Sequence, residues 1–242
     1  MKRLLWVMLL VASVAGAQTP SVVRATKFVL VDDQGRERAV LRRMPDGPAL
    51  TLSDEQGKVR AGLAVSENGP ALTLFDEQGK LGTVLKISEN GPALDFYDEQ
   101  GKVRAGLAVF EDEPSLWLYD EQGKLGTVLK VSENGPTLTL FDEEGKPRTG
   151  LMVFKDEPGL WLYDEQGEAR IMIGTLFEDE PGLYLYDGQG KTRIRLNVLT
   201  DQPNLIFYDE KDKVRVLLGA LEDGSALWLY DEQGRRIWGW PK

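Results

Sequence analysis

From Phe28 onward the chain is one short phrase written ten times, and this constrains its fold more than any other feature. The copies begin at Phe28, Leu50, Leu72, Leu94, Leu116, Leu138, Leu160, Leu183, Leu205 and Leu227, a spacing of 22 residues with one step of 23 after Leu160. A fixed period of this length marks a repeat architecture, in which each copy is one supersecondary unit that cannot bury its apolar face alone. Stability must then come from neighbouring copies.

The copy from Leu72 to Ala93 shows the chemistry of the unit. Leu72-Thr73-Leu74-Phe75 is a β-prone run without a breaker, and Asp76-Glu77-Gln78-Gly79 is a turn, with Asp at its start and Gly where positive φ is wanted. Lys80 to Ile87 reads as a second strand, closed by Ser88-Glu89-Asn90-Gly91-Pro92. Pro92 has no amide to donate, which places it before the next strand rather than within it. Each repeat is therefore a β-hairpin.

Treating Asp76–Gly79 as a four-residue loop sets Phe75 opposite Lys80, Leu74 opposite Leu81, Thr73 opposite Gly82 and Leu72 opposite Thr83. Facing residues share a sheet face. One face then holds Leu72, Leu74, Leu81, Thr83, Leu85 and Ile87, the expected apolar interior. The same register puts Asp95 opposite Arg104 and Trp117 opposite Gly126. It also places Arg38, Arg60, Arg104, Arg148, Arg170, Arg193 and Arg215 across from the second strand position. The other face carries rings: Phe75, Tyr97, Tyr119, Phe141, Tyr163, Tyr186, Tyr208 and Tyr230, usually opposite Lys, with Trp117, Trp161, Tyr184 and Trp228 two residues before four of them.

Ten hairpins give about twenty strands with no helical pattern, so the fold class is all-β. Three arrangements suit such a chain: an open, elongated, coiled or solenoid-like antiparallel sheet, a five-bladed propeller, and a parallel β-solenoid. Polar residues at both ends of the expected aliphatic face (Glu37 and Arg43 in the first copy, Arg236 in the last) favour the open array, whose exposed ends need capping. Parallel stacking would also pile identical Asp-Glu turns about 4.8 Å apart.

Residues 1–17 read as a signal peptide: Lys2-Arg3, the apolar run Leu4 to Val14, then Ala15-Gly16-Ala17, with cleavage expected before Gln18. The run is too short to span a membrane. Residues 18–27 form a lead-in and 28–242 a single repeat domain. Export to the periplasm, cell surface or medium is implied. With no Cys, no disulfide can form. Without Lys2 and Arg3 the chain carries 27 basic against 39 acidic residues, a net charge of −12, which argues against nucleic acid and anionic membranes as partners.

The block Tyr119-Asp120-Glu121-Gln122-Gly123-Lys124-Leu125 resembles the YD repeats of Rhs-type bacterial surface and toxin-shell proteins, and Tyr163-Asp164, Tyr186-Asp187 and Tyr230-Asp231 share its opening. Lys stands where those repeats usually have Arg, and Val often replaces Leu. The resemblance implies hairpins in a long spiralling sheet. MORN-type hairpin repeats are a more distant likeness. Neither carries an activity across.

Catalysis is not expected. The chain has no His and no Cys, and its carboxylates recur in every turn instead of forming a singular group. No cofactor or metal is expected either, since turn chemistry accounts for the Asp-Glu-Gln-Gly residues without Ca²⁺. The surface best suited to a ligand is the aromatic and basic stripe: Trp117, Tyr119, Trp161, Tyr163, Arg170, Tyr184, Trp228 and Tyr230. Such a stripe suits a binding or adhesion module for an envelope polysaccharide or protein. The alternative is a structural or assembly protein of the envelope that associates with itself. Exposed rings favour the first role, and buried rings with oligomer formation favour the second.

Overall fold

In a computed structural model of the chain, residues 22–175, 180–222 and 224–240 are described; the expected signal peptide and its cleavage site lie outside them. Twenty strands, from β1 (Lys27–Val31) to β20 (Arg236–Trp240), form one sheet in which every strand pairs antiparallel with its sequence neighbours. Among the described residues β1 pairs only with β2 (Glu37–Met44), and β20 only with β19 (Gly224–Tyr230). The sheet is open and the described residues include no helix. It is neither a ring of blades nor a parallel stack.

The Asp turns show why the backbone folds back where it does. In the hairpin of β5 (Gly69–Phe75) and β6 (Leu81–Ser88), the Asp76 amide donates to the Lys80 carbonyl at 2.9 Å, and the Gly79 amide donates to the Asp76 carbonyl at 3.1 Å. Gly79 has φ +84, so the loop is three residues long with glycine in the left-handed position. Asp76 Oδ1 accepts from the Gln78 and Lys80 amides at 2.9 and 2.8 Å. Neighbouring turns are tied together by lysines: Lys58 Nζ donates to the Glu77 carbonyl at 3.0 Å, and Lys146 Nζ to the Glu165 carbonyl at 2.6 Å.

The register differs from the sequence expectation by two one-residue steps that add to a shift of two, so that most side chains keep their face. The closing pair is Asp76 with Lys80, one residue tighter than a four-residue loop, and Phe75 then sits opposite Leu81. Gly82 is an extra residue, a β-bulge, after which Leu74 meets Thr83 and Leu72 meets Leu85. The first step exchanges the two faces and the second restores them. Leu72, Leu74, Thr83, Leu85 and Ile87 therefore share a face as expected, whereas Leu81 joins Phe75 on the other. The tyrosines and phenylalanines do not face lysine: Tyr97 meets Val103, Tyr119 meets Leu125 and Tyr163 meets Ala169.

Arginine is the usual bulge residue. Arg60, Arg104, Arg148, Arg170, Arg193 and Arg215 each occupy the extra position and turn back to the Asp that opens their own hairpin loop. The distance is 2.8 Å from Arg148 Nε to Asp142 and 2.9 Å from Arg170 Nε to Asp164. Asp95 is accordingly opposite Gly106 and not Arg104, and its ion pair is with Lys86 at 2.8 Å. Asp98, Asp142, Asp164, Asp187, Asp209 and Asp231 are held below the ordinary aspartate pKa. The main cause is the backbone amide four residues on, with partial desolvation opposing it and a neighbouring Arg assisting.

The opposite turns have two solutions. Ser88 pairs with Gly91, whose φ is +108 and whose added Cβ would lie 2.1 Å from the Val109 carbonyl oxygen. Where Glu113 and Glu157 replace that glycine, the positive φ moves into the loop, to Glu111 and Asp112 and to Lys155 and Asp156, the geometry of a type I′ turn. Pro92 lies inside β7 (Gly91–Tyr97), paired with Ile87, not before it.

The largest correction concerns the interior. The leucine face is exposed to solvent: Leu74 is 44% exposed, Leu85 47% and Leu140 42%. Every buried residue among the described ones lies on the ring face, including Val40, Ala93, Ala108, Met172, Tyr184, Ile206 and Ala226. Rings there lie over bare backbone. A Cβ on Gly106 would meet the Trp117 ring at 3.3 Å, and one on Gly182 would meet the Tyr184 ring at 2.6 Å. Because the sheet is a single layer, neither face has a second sheet to cover it. The better-buried face is the one whose large side chains can lie down on glycine and alanine.

The polar ends also fall differently. Glu37 and Arg236 are on the ring face, Glu37 opposite Val31 and paired with Lys27 at 2.7 Å, Arg236 over the Trp228 ring at 5.9 Å. Of the three, Arg43 alone is on the leucine face, opposite Pro48.

Candidate functional site

Two surfaces and one cleft are candidates. The leucine face has a middle row that crosses the whole sheet, one residue per strand. Phe28 meets Leu41, Leu41 meets Leu50, and the row continues through Leu63, Leu72, Leu85, Leu94 and Leu107 to Leu218, Leu227 and Trp240. Flanking rows hold Pro and Val on one side, and Leu, Phe, Ala, Thr or Ile on the other. From β3 (Gly47–Ser53) to β20 this face presents no charged residue; Arg43 on β2 is the exception at its margin. The row ends in Trp240, 67% exposed, with Trp238 beside it in a flanking row at 53%.

On the ring face, the expected stripe does share one side of the sheet, with one exception. Trp117 lies between Gly106 and Val128, Trp161 between Gly150 and Met172, Tyr184 between Met172 and Arg195, and Trp228 between Leu217 and Gly239. Tyr119, Tyr163 and Tyr230 lie opposite Leu125, Ala169 and Arg236. The exception is Arg170, which is drawn to Asp164 at the turn and does not sit opposite Trp161. None of these rings stands free in solvent. Tyr184 is 6% exposed, the others are half-buried, and burial raises the pKa of Tyr163, Tyr184 and Tyr186. The indole Nε1 atoms of Trp161 and Trp228 are buried with no hydrogen-bond partner.

The cleft interrupts the repeat. It has a volume of about 520 Å³ and lies across β15 (Gly182–Tyr186), β16 (Thr192–Leu199) and β17 (Gln202–Tyr208), lined by Tyr184, Tyr186, Arg195, Asn197 and Tyr208 with Glu180 at its margin. The sequence reading named Tyr184 from this group and placed Tyr186 and Tyr208 in the ring stripe, but passed over Arg195 and Asn197. The signal was present. At the ring-face position of Arg195 other second strands carry Val40, Gly62, Val84, Gly106, Val128, Gly150, Met172 and Leu217, and the 23-residue step falls next to it. Among the described residues, no three carboxylates converge as a metal-binding group.

No protein-family model matches the chain, and no curated protein matches it. Solved structures resemble it at low similarity. They include the TcdB2-TccC3 crystal structure (15% identity, 91% of this chain and 13% of that chain, TM-score 0.20) and the Photorhabdus luminescens Tc holotoxin pore (13%, 86%, 12% and 0.20). TcdB2-TccC3-Cdc42 is a further one (11%, 87%, 18% and 0.18). The chain spans less than a fifth of the length of each.

Proposed function

We propose that this chain is an exported, non-enzymatic assembly protein of the cell envelope, a scaffold whose leucine face packs on the same face of a second copy. The observation that carries this reading is the charge-free row of aliphatic side chains across the sheet, in which exposed residues such as Leu63, Leu85 and Leu107 alternate with half-buried ones such as Leu50 and Leu94. Twenty strands about 4.8 Å apart, each showing three residues of this face, present on the order of 1,300–1,800 Å². Soluble monomers rarely expose a continuous apolar patch above about 300–600 Å², and a stable dimer needs about 800 Å² from each partner. Half the row is enough.

A second copy suits this surface better than a bilayer does. Two such sheets pack face to face at about 10 Å, with side chains of equal spacing interdigitating. The strands are 5–8 residues long, short of the roughly 9–11 that a membrane-spanning strand needs, and charged turns close both ends. The half-buried rings support assembly over glycan capture along the stripe. The likeness of the Tyr-Asp turns to YD repeats, which build extended sheets, agrees with a scaffold role.

Sedimentation velocity of the mature protein over a wide concentration range tests the reading. Dimers or larger species should form and be favoured by salt, because both partners are acidic. Replacing Leu129 and Leu151 together by Lys should weaken the dimer by about a hundredfold, on the order of 3 kcal/mol, with the β-sheet circular dichroism unchanged. Since the chain has no cysteine, Leu129→Cys alone should cross-link on oxidation. A monomer at every concentration, or oligomers indifferent to the two lysines, would overturn it.

A further inference from the structure

The geometry points to a second, independent function for the cleft on the ring face: we propose that Arg195, Asn197 and the tyrosines beside them bind an acidic saccharide, a sugar unit carrying a carboxylate. Two departures from the repeat meet here, beside three of its recurring rings, Tyr184, Tyr186 and Tyr208. The extra residue in the spacing lies between β14 (Ala169–Gly174) and β15, and β16 carries Arg and Asn where other second strands carry mostly small or aliphatic residues. A scaffold needs neither departure.

Two residues that line the cleft each carry a buried polar atom without a partner. Asn197 is 4% exposed and its Oδ1 accepts no hydrogen bond, while the Nε of Arg195 donates none. Leaving such groups unpaired is costly, and a ligand that satisfies them recovers that cost. Asn197 is flanked by two groups that leave it unpaired: Gly182 on β15, over which the Tyr184 ring lies, and Asn204 on β17, which has turned its amide to the Gln202 carbonyl at 2.7 Å. Arg195 lies between Tyr184 and Ile206 and, unlike the bulge arginines, has no ion pair among the described residues. The other cation, Lys191, is already held by Asp212 at 3.2 Å.

The required ligand follows from these groups. It must bring an anionic acceptor to Arg195 and a hydroxyl or amide donor to Asn197. The two residues are two apart on one strand, about 7 Å along it, a separation that one pyranose with its carboxylate can bridge. Tyr186 and Tyr208 offer ring faces to the C–H faces of a sugar, and Glu180 accepts from its hydroxyls. A carboxylate satisfies a guanidinium with two parallel hydrogen bonds, which a neutral sugar cannot do.

Isothermal titration calorimetry of the mature full chain with oligogalacturonate, the matching neutral galacto-oligosaccharide and an acidic peptide tests the proposal. One oligogalacturonate site per chain is expected, with the neutral sugar at least about tenfold weaker and the peptide weaker still. Arg195→Gln should weaken the acidic sugar at least about tenfold with the melting temperature unchanged, Arg195→Lys should weaken it less, and Arg170→Gln should leave it unaffected. Equal binding of acidic and neutral sugars, preferential binding of the peptide, indifference to Arg195→Gln, or no heat at millimolar sugar would each overturn it. The titration reports on the cleft whether or not the leucine faces pair.

Discussion

Along the centre of the leucine face, strand after strand repeats one residue: Leu63, Leu72, Leu85, Leu94, Leu107. On the same strands, one position further along or back, the ring face reads Gly62, Thr73, Val84, Asp95, Gly106. The backbone, spacing and turns are common to both. The uniform face is exposed and the varied face holds the buried residues. Uniformity is what a surface needs to match another copy of itself, because a shift by whole repeats leaves the pattern unchanged. Variation is what a single layer needs to cover its own backbone, where each ring wants a small neighbour. The cleft lies on the varied face, where a singular set of side chains can arise without disturbing the ladder.

The most severe way to break this contrast is to remove one large side chain from each face. Met172 is 0% exposed, between Trp161 and Tyr184. Met172→Ala should cost about 2–4 kcal/mol by urea unfolding, because the rings around it cannot close the gap. Leu129→Ala, on the open face at 44% exposure, should cost about 1 kcal/mol or less when measured on dilute, monomeric protein. Equal losses would mean that the leucine face is covered even in the isolated chain, which would break the comparison.

Acid should act next most strongly, through the turns that hold both faces in register. The aspartates at 98, 142, 164, 187, 209 and 231 have folded pKa values below their unfolded ones. Their stabilisation is therefore complete above the unfolded value of about 3.9 and disappears as pH falls through the folded values. Thermal melts followed by circular dichroism should be flat in this respect from pH 7 to about 5 and fall steeply below about 4. A melting temperature unchanged at pH 2 would show that the Asp side chains do not hold the loops.

Much of this was legible in the sequence, and the failures have physical causes. Period, hairpin unit, strand content and most face memberships follow from residues that recur, because a packing requirement repeated ten times is read ten times. The open array was read from end residues instead, and of those Glu37 and Arg236 fall on the ring face. Exact partners do not follow. Asp-Glu-Gln-Gly accommodates either a three- or a four-residue loop, and an arginine in a bulge looks in sequence like an arginine in a strand. The side on which burial occurs was misread because aliphatic residues go inside only where a second layer exists to receive them. In one layer, Leu85 has nowhere to go, whereas Trp117 can lie on Gly106. Arg195 and Asn197 were legible as departures from the repeat. Their burial was not, since it depends on the strands to either side.

The smallest effect tests the bulge itself. In the β9–β10 hairpin, between Glu113–Tyr119 and Leu125–Ser132, the extra residue is Gly126, so Asp120 has no arginine like those that turn back to Asp98 and Asp142 from the flanking hairpins. A Cβ on Gly126 would meet nothing closer than the Leu118 carbonyl oxygen at 3.6 Å, and its φ lies outside the left-handed region. Gly126→Arg should therefore fit without strain and reach Asp120 as its counterparts do. Two gains are small and of the same sign: a stiffer unfolded chain and an ion pair near the surface, together about 0.5–1 kcal/mol. The melting temperature should rise by a few degrees at low salt, and part of that rise should disappear in high salt while the remainder persists. Adding Asp120→Asn to the variant should remove only the salt-sensitive part. If Gly126→Arg instead lowers the melting temperature, the bulge needs glycine for its backbone. The alternation of Arg and Gly along the chain would then record two different bulge geometries rather than one geometry with an optional ion pair.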